Sequence, residues 1–338
     1  MREPPANLPD EALRACLHAR YGLIVDELTF LPIGHDFSAW VYRARTAGAG
    51  EYFIKVRTQV TNEPGLLVPR YLHDHGVERV VAPLPTGEGA LWTTVADYAL
   101  ILYPFVAGTT GTERGMSERQ WIDYGAILAQ IHATTPASDL ARMMRRETFT
   151  PVGARAIEDV DQRIRARSYD HPAAHELATF WRSRQGDIRT LLQRADDLGR
   201  RLARKEPSFV LCHADIHTNN VMLGADGQVW IVDWDETVLA PRERDLMFVT
   251  GGIIGGLVGP RQEELFFQGY GETSVDPLAL AYYRYARAVE DIGDYGEEVF
   301  LRPDLGPGDK RAAVEGFMSI FTPGSIVSLA FASDGQAT

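Results

Sequence analysis

The sequence predicts an α+β protein of two lobes: a small β-rich N-terminal lobe over residues 1–103, and a larger helical C-terminal lobe over residues 104–338 that carries a β-hairpin. Three observations predict it. Up to about residue 106 the chain is a series of short runs rich in β-branched and aromatic residues, parted by turn-prone pieces. After the glycine-bearing connector "VAGTTGTERG", apolar residues recur at helical spacing. Inside that helical part lies one β-rich island, "LCHADIHTNNVMLGADGQVWIVDWDE", over residues 211–236.

Taken in order, "LTFLPI", "AWVYRART" and "EYFIKVR" read as the first strands, with "TAGAGE" as the turn between the last two. A helical candidate follows from Glu63 to His75. Pro64 suits its first turn, whereas Pro69 has no N–H for a helix interior, so this helix is expected to be short, kinked or late in starting. "RVVAPL", "ALWTTV" and "YALILYPFV" read as further strands. Ser117 followed by Gln120 has the pattern of a capping box, and Trp121, Tyr124, Leu128 and Ile131 carry an amphipathic helix to Ala133. A polar helical stretch occupies 173–205, its basic end "GRRLARK" reading as a solvated face. In the island, "SFVLCH" and "VMLG" read as strands, and the Asp226-Gly227 turn leads into "QVWIVDW". Beyond Leu246 the pattern is helical again, most clearly in "LALAYYRYARAVEDIGDY". Ligands favour the cleft of such a two-lobed arrangement.

At 338 residues the chain is long enough for two cores, and 45% hydrophobic with 24% charged residues is an ordinary globular composition. A formal net charge of −12 argues against nucleic acid, which demands a basic surface. It suits a cationic small molecule, although solubility is the plainer account. No stretch approaches the roughly 20 apolar residues of a membrane span, so no membrane partner is expected; "FVTGGIIGGLVG" is glycine-rich and too short. The first residues show no apolar signal-peptide core, and Cys16 and Cys212 suit free thiols, so the cytoplasm is the expected location. Monomer and homodimer are both open.

Within the island, His213, Asp215 and His217 fall on alternate positions. On a strand they would share one face and serve as three ligands for a transition metal. Phosphoryl transfer is the other chemistry these residues suit. Asn220 lies five positions after Asp215, and Asp233 thirteen after Asn220. A kinase catalytic loop places its base and its metal-binding asparagine at the same five-residue interval. The reaction needs a carboxylate near the acceptor hydroxyl and oxygen ligands for Mg²⁺ on the phosphates. Of the nine histidines, none outside this loop forms a second cluster, which leaves the transition-metal site short of ligands. His213 then reads as a structural residue, and His217 as either structural or close to the acceptor. Lys55, mid-strand in "YFIKV", reads as a phosphate-binding lysine, with a strand-edge lysine as the plainer alternative. "IGHDFSAWVYR" joins two strands where a loop over the nucleotide is needed. It carries only Gly34, so backbone N–H groups near Phe37 and Ser38 are the expected phosphate cradle.

"HADIHTNN" followed by "IVDWDE" resembles the signature of the aminoglycoside phosphotransferases, which share the protein-kinase fold. "IVDWDETVLAPRERDLMFVTGG", "QGYGETSVDPLALAYYRYARAVEDI" and "IVSLAFA" are similar to the spectinomycin phosphotransferase branch, and the resemblance runs from Leu28 to Ala332. It implies ATP and Mg²⁺ as cofactors, Asp215 as catalytic base, and Asn220 and Asp233 as Mg²⁺ ligands. It implies that Lys55 grips the α- and β-phosphates and pairs with Glu63, and that adenine meets the connector at Leu102, Tyr103 and Phe105. Two departures stand out: Pro64 and Pro69 crowd the Glu63 helix, and Pro104 removes one N–H from the connector. Asp235, Glu236, His217, Glu290 and Asp291 are the acceptor-binding candidates. Tyr282, Tyr283 and Tyr285 offer aromatic faces for an amine, with helix packing as the plainer reading. Asp245 resembles a buried aspartate that braces the catalytic loop. The implied activity is transfer of the γ-phosphate of ATP to a hydroxyl of a small cationic aminocyclitol antibiotic, spectinomycin, which inactivates the drug. A metabolic kinase for homoserine, choline or a sugar is the alternative. A non-catalytic nucleotide-binding module is a second, opposed by the presence of Lys55, Asp215, Asn220 and Asp233.

Overall fold

The β-branched and aromatic runs of the first hundred residues do form strands. A computed structural model describes residues 3–5, 7–34, 38–48, 50–167, 169–251 and 258–335. Its strands are β1 (Val25–Leu31), β2 (Ala39–Thr46), β3 (Glu51–Arg57), β4 (Thr93–Val95), β5 (Tyr98–Pro104), β6 (Gly108–Thr110), β7 (Val210–Cys212), β8 (Val221–Gly224), β9 (Val229–Ile231) and β10 (Val238–Ala240). By contact density the described chain divides into two units: Met1–Arg145 with Thr218–Thr237, and Arg146–His217 with Val238–Thr338.

The first unit holds an antiparallel sheet in the order β1-β2-β3-β5-β4. Strand alternation sorts its two faces. Ile54 and Val56 of β3 turn into a core with Tyr42, Ala44, Leu100 and Leu102, covered by Leu13 and Leu17 of the Asp10–Tyr21 helix. Lys55 and Arg57 fall on the other face, with Lys55 in register between Val41 and Ile101. A second sheet, β6-β8-β9, carries the hairpin turn at Gly227, whose φ of 83° is the left-handed conformation expected of an Asp-Gly turn. The Glu118–Ala133 helix starts at the predicted box: Ser117 Oγ accepts the Gln120 N–H at 3.3 Å, and Gln120 Oε1 accepts the Ser117 N–H at 2.9 Å.

Two local expectations change here. The helix after β3 runs Pro64–Asp74 straight through Pro69, with Pro64 in its first turn. "RVVAPL" is not a strand. It makes a single parallel bridge between Val80 and Ile231, because Pro83 cannot donate to a longer ladder.

The second unit is helical apart from the β7–β10 pair. The expected 173–205 stretch is two helices, Pro172–Ser183 and Gln185–Lys205, parted at Arg184. The Pro277–Phe300 helix packs against Gln185–Lys205, Ala154–Ala166, Pro307–Ser319 and Ile326–Ala332. Tyr282, Tyr283 and Tyr285 are each at most 1% exposed, so these tyrosines pack the core. Gly153, just before Ala154–Ala166, lets backbones meet. A Cβ there would stand 2.8 Å from Val289 O and 3.0 Å from Glu290 Cα, and one at Gly293 would stand 2.9 Å from Gly153 Cα. The β-rich first part and the helical remainder match the predicted α+β class. Among the described residues no helix is long and apolar enough to cross a membrane.

Candidate active site

The residues on the non-core face of β3 open into a cavity of about 480 Å³ within the first unit. Leu31, Val41, Phe53, Tyr103, Phe105, Met222 and Val232 give it apolar walls, and Lys55, Asn220 and Asp233 bring polar groups into it. Lys55 Nζ donates to Asp233 Oδ1 at 3.2 Å and to Asp235 Oδ2 at 2.8 Å, and Arg57 Nη1 reaches the same Asp235 oxygen at 2.9 Å. Burial works against the Lys55 ammonium, yet the carboxylates of Asp233 and Asp235 raise its pKa above the ordinary value. Burial likewise disfavours the Asp235 carboxylate, but Lys55 and Arg57 outweigh it and hold that pKa down. Asp233 has φ 62°, a left-handed backbone, and half of its side chain stays exposed while Oδ1 meets Lys55.

Several expectations fare differently at this cavity. The Lys55–Glu63 ion pair does not form. Pro64 occupies the first helical position, which leaves Glu63 as the exposed residue before the helix, and Lys55 is already paired with two aspartates. Asp235, expected near the acceptor, belongs to the lysine cluster, and Glu236 pairs with Arg145 at 2.8 Å. Tyr103 and Phe105 line the cavity, whereas Leu102 turns the opposite way into the core. Pro104 has no N–H, and the Phe105 N–H donates to Glu51 O at 3.1 Å. Ser38 O accepts the Thr58 N–H at 3.1 Å, and Phe37 lies outside the described residues.

In the second unit the chain leaves β7 at Cys212 and enters a loop rather than a longer strand. Ala214 has φ 70°, unfavourable for a residue with a Cβ. The loop is held by Asp245, fully buried, which accepts the N–H of His213 at 2.9 Å and that of Ala214 at 2.6 Å. His213 Nδ1 in turn accepts the Asp215 N–H at 3.3 Å. Without strand geometry, His213, Asp215 and His217 do not share a face by alternation. His213 instead serves the loop, and the three-ligand metal arrangement falls.

Asp215 receives Arg287 Nη1 on Oδ1 at 3.1 Å and lies 3.4 Å from His217 Nε2 through Oδ2. Arg287 also holds Asp291 Oδ1 at 2.8 Å and lies 3.9 Å from Glu290 Oε2, while Arg244 is 3.6 Å from the same Glu290 oxygen. Burial pushes the Asp215 carboxyl up, but the hydrogen bond with His217 and the guanidinium of Arg287 bring it down to about 2. Asp291 goes the other way. Burial, Glu290 and Asp215 together outweigh Arg287 and raise it to about 6. Arg287 was the residue missed in the sequence, although it precedes Glu290 and Asp291 by three and four positions, the spacing of one helix face.

The chain is similar to known phosphotransferases. The phosphotransferase enzyme family matches residues 29–284. The structure of spectinomycin phosphotransferase APH(9)-Ia, in complex with ADP and spectinomycin, is 30% identical and superimposes with a TM-score of 0.87, covering 97% of this chain and 99% of that one. Protein StrN of Streptomyces griseus is 28% identical over 305 residues, 85% of this chain and 84% of its own length. The amicoumacin kinase hAmiN, in complex with AMP-PNP, Ca²⁺ and its ligand Ami, is 18% identical with a TM-score of 0.64, over 95% of this chain and 96% of that chain, and shares the fold. A match of this length, on a chain whose Lys55, Asn220 and Asp233 line one cavity, shows that the protein belongs to the phosphotransferase enzyme family.

Proposed function

We propose that the protein is an ATP- and Mg²⁺-dependent O-phosphotransferase that transfers the γ-phosphoryl group to a hydroxyl of a small cationic aminocyclitol antibiotic, spectinomycin, and so inactivates it. The observation that carries this reading is the 30% identity, kept over 97% of the chain, with an enzyme whose structure holds ADP and spectinomycin. The reading requires a compartment that contains ATP, the cytoplasm.

The cavity suits the nucleotide, with apolar walls for a base and a buried ammonium for phosphate oxygens. The donors suit the metal as well. Asn220 and Asp233 offer an amide and a carboxylate oxygen, the ligand type that Mg²⁺ takes while keeping its waters. Bound there, Mg²⁺ would offset negative charge on the phosphate oxygens. Lys55 holds the α- and β-phosphate oxygens. Asp215, ionised throughout the neutral range, orients the acceptor hydroxyl and accepts its proton as the new O–P bond forms and the bond from the γ-phosphorus to ADP breaks. With so low a pKa, Asp215 is a weak base, which suits late proton transfer in a loose transition state. Glu290 and Asp291 supply negative charge for the amines of the acceptor.

The test is ADP release from Mg-ATP by the purified protein with spectinomycin, kanamycin, homoserine, choline or no acceptor, with Asp215→Ala in parallel. Turnover with spectinomycin alone, lost in the variant, is the expected result. Turnover with another acceptor would keep the kinase and replace the drug. ATP binding without turnover across the panel would put the non-catalytic reading first.

A further inference from the structure

Lys55 needs a carboxylate to hold it in place, and apart from the candidate metal ligand Asp233, which it meets at 3.2 Å, the choice lies between Glu63 and Asp235. Glu63 stands before the helix that follows β3, exposed, and its side chain has no partner among the described residues. Asp235 bonds Lys55 at 2.8 Å and Arg57 at 2.9 Å, two cations brought to one face by strand alternation. Its segment is itself fixed. Asn62 Nδ2 donates to the Asp235 carbonyl at 2.5 Å, and the helix start closes on it at Gly65, where a Cβ would stand 3.1 Å from Trp234 O and 3.3 Å from Asp235 Cα.

We infer that Asp235 is the residue that positions Lys55 for the nucleotide phosphates, and that the Pro64–Asp74 helix supplies no charge for this purpose. The inference rests on reading the cavity as the nucleotide site. In protein kinases the partner of the corresponding lysine is a helix glutamate, and moving that helix controls activity. Here the partner lies two residues from Asp233, so the lysine's anchor and the candidate metal ligand arrive on one short stretch of chain. The anchoring carboxylate does not ride on the helix, which touches the Asp235 segment only through main-chain packing at Gly65, so the lysine's partner is in place without a charged helix residue. Asp235 therefore leaves the acceptor site and becomes a positioning residue.

The experiment compares wild type, Asp235→Asn, Asp235→Glu and Glu63→Gln. It measures the Kd for Mg-ADP, the KM for ATP and for the acceptor, kcat, and the Tm. Asp235→Asn is expected to raise the ADP Kd at least about tenfold and to lower kcat/KM for ATP about a hundredfold, with the acceptor KM within about twofold. Asp235→Glu should recover part of that loss, and Glu63→Gln should stay within about twofold throughout. A loss in Glu63→Gln equal to that in Asp235→Asn would overturn the inference. So would an Asp235→Asn defect confined to the acceptor KM. If Asp235→Asn proves too unstable to assay, Glu63→Gln still decides, because a helix carboxylate partner predicts a large loss there. Failure of wild type to bind ADP at all would instead remove the nucleotide reading of the cavity.

Discussion

The protein contains two clusters of opposed charge, and they are built differently. Around Lys55, two cations meet two carboxylates, Asp233 and Asp235. Around Arg287, the cations Arg287 and Arg244 face Asp215, Glu290 and Asp291, with Asp294 one turn further along the helix. Burial disfavours the charged forms of Lys55 and Asp235 in the first and of Arg287, Asp215 and Asp291 in the second, so burial alone does not explain why the shifts differ in sign. In the first cluster each carboxylate touches a cation, and Asp235 stays ionised more readily than usual. In the second, anions outnumber cations. Asp215 has Arg287 and His217 and falls to about 2, while Asp291 shares Arg287 with its neighbours and rises to about 6. Asp294 moves up as well, through burial and the charges of Glu290 and Asp291. The first cluster is neutral in itself. The second keeps a surplus of negative charge, the complement of the cationic acceptor in the proposed reaction.

Three perturbations test that contrast, the largest first. Lys55→Met removes the centre of the neutral cluster and should lower kcat/KM for ATP by about 10²–10³-fold, measured at saturating acceptor. A loss under tenfold would show that the lysine is structural. Arg287→Met removes one of two cations from the acid-rich cluster. Asp215 then titrates closer to an ordinary carboxylate, so the acidic limb of kcat/KM against pH should move up by about one unit, with kcat down about tenfold at pH 7.5. An unmoved limb would mean that Arg287 does not set the charge on Asp215.

Asp291→Asn gives the smallest effect, read in stability. The folded-state pKa of Asp291 lies near 6, above its unfolded value, so the folded protein binds the proton more tightly. Stability is therefore lost as pH rises from about 4 to about 6, and the penalty is constant above that. Removing the charge should make the variant the more stable protein above pH 6. The expected gain is about 1 kcal/mol, or about 3 °C in Tm, after allowing for the weakened contact with Arg287. A Tm difference independent of pH would show that Arg287 already neutralises Asp291.

Much of this was legible in local sequence. β2 and β3 coincide with the runs read from their residues, and the Ser117–Gln120 box opens its helix, because both signals are short-range. The spacing of Asp215, Asn220 and Asp233 pointed to phosphoryl transfer, since covalent distance limits where a loop can place its ligands. What failed depended on partners remote in sequence. "RVVAPL" has strand composition, but Pro83 leaves it only a bridge to Ile231. The family resemblance implies Glu63 as the partner of Lys55, and no local rule shows that Asp235, 180 residues from Lys55, takes the ammonium instead. Arg287 went unnoticed because an arginine on an amphipathic helix ordinarily reads as a solvated residue.

The glycine contacts of the second unit bear on how readily the enzyme could be evolved. At Gly153 and Gly293 the backbones stand too close for any side chain, and one of those contacts falls on Glu290 itself. The helix that carries the acid-rich cluster is thus gripped at the level of its main chain and has no room to slide or roll. Selection for a new acceptor should accordingly enrich replacements among the charged positions 287, 290, 291 and 294, while Gly153 and Gly293 stay invariant in the surviving library.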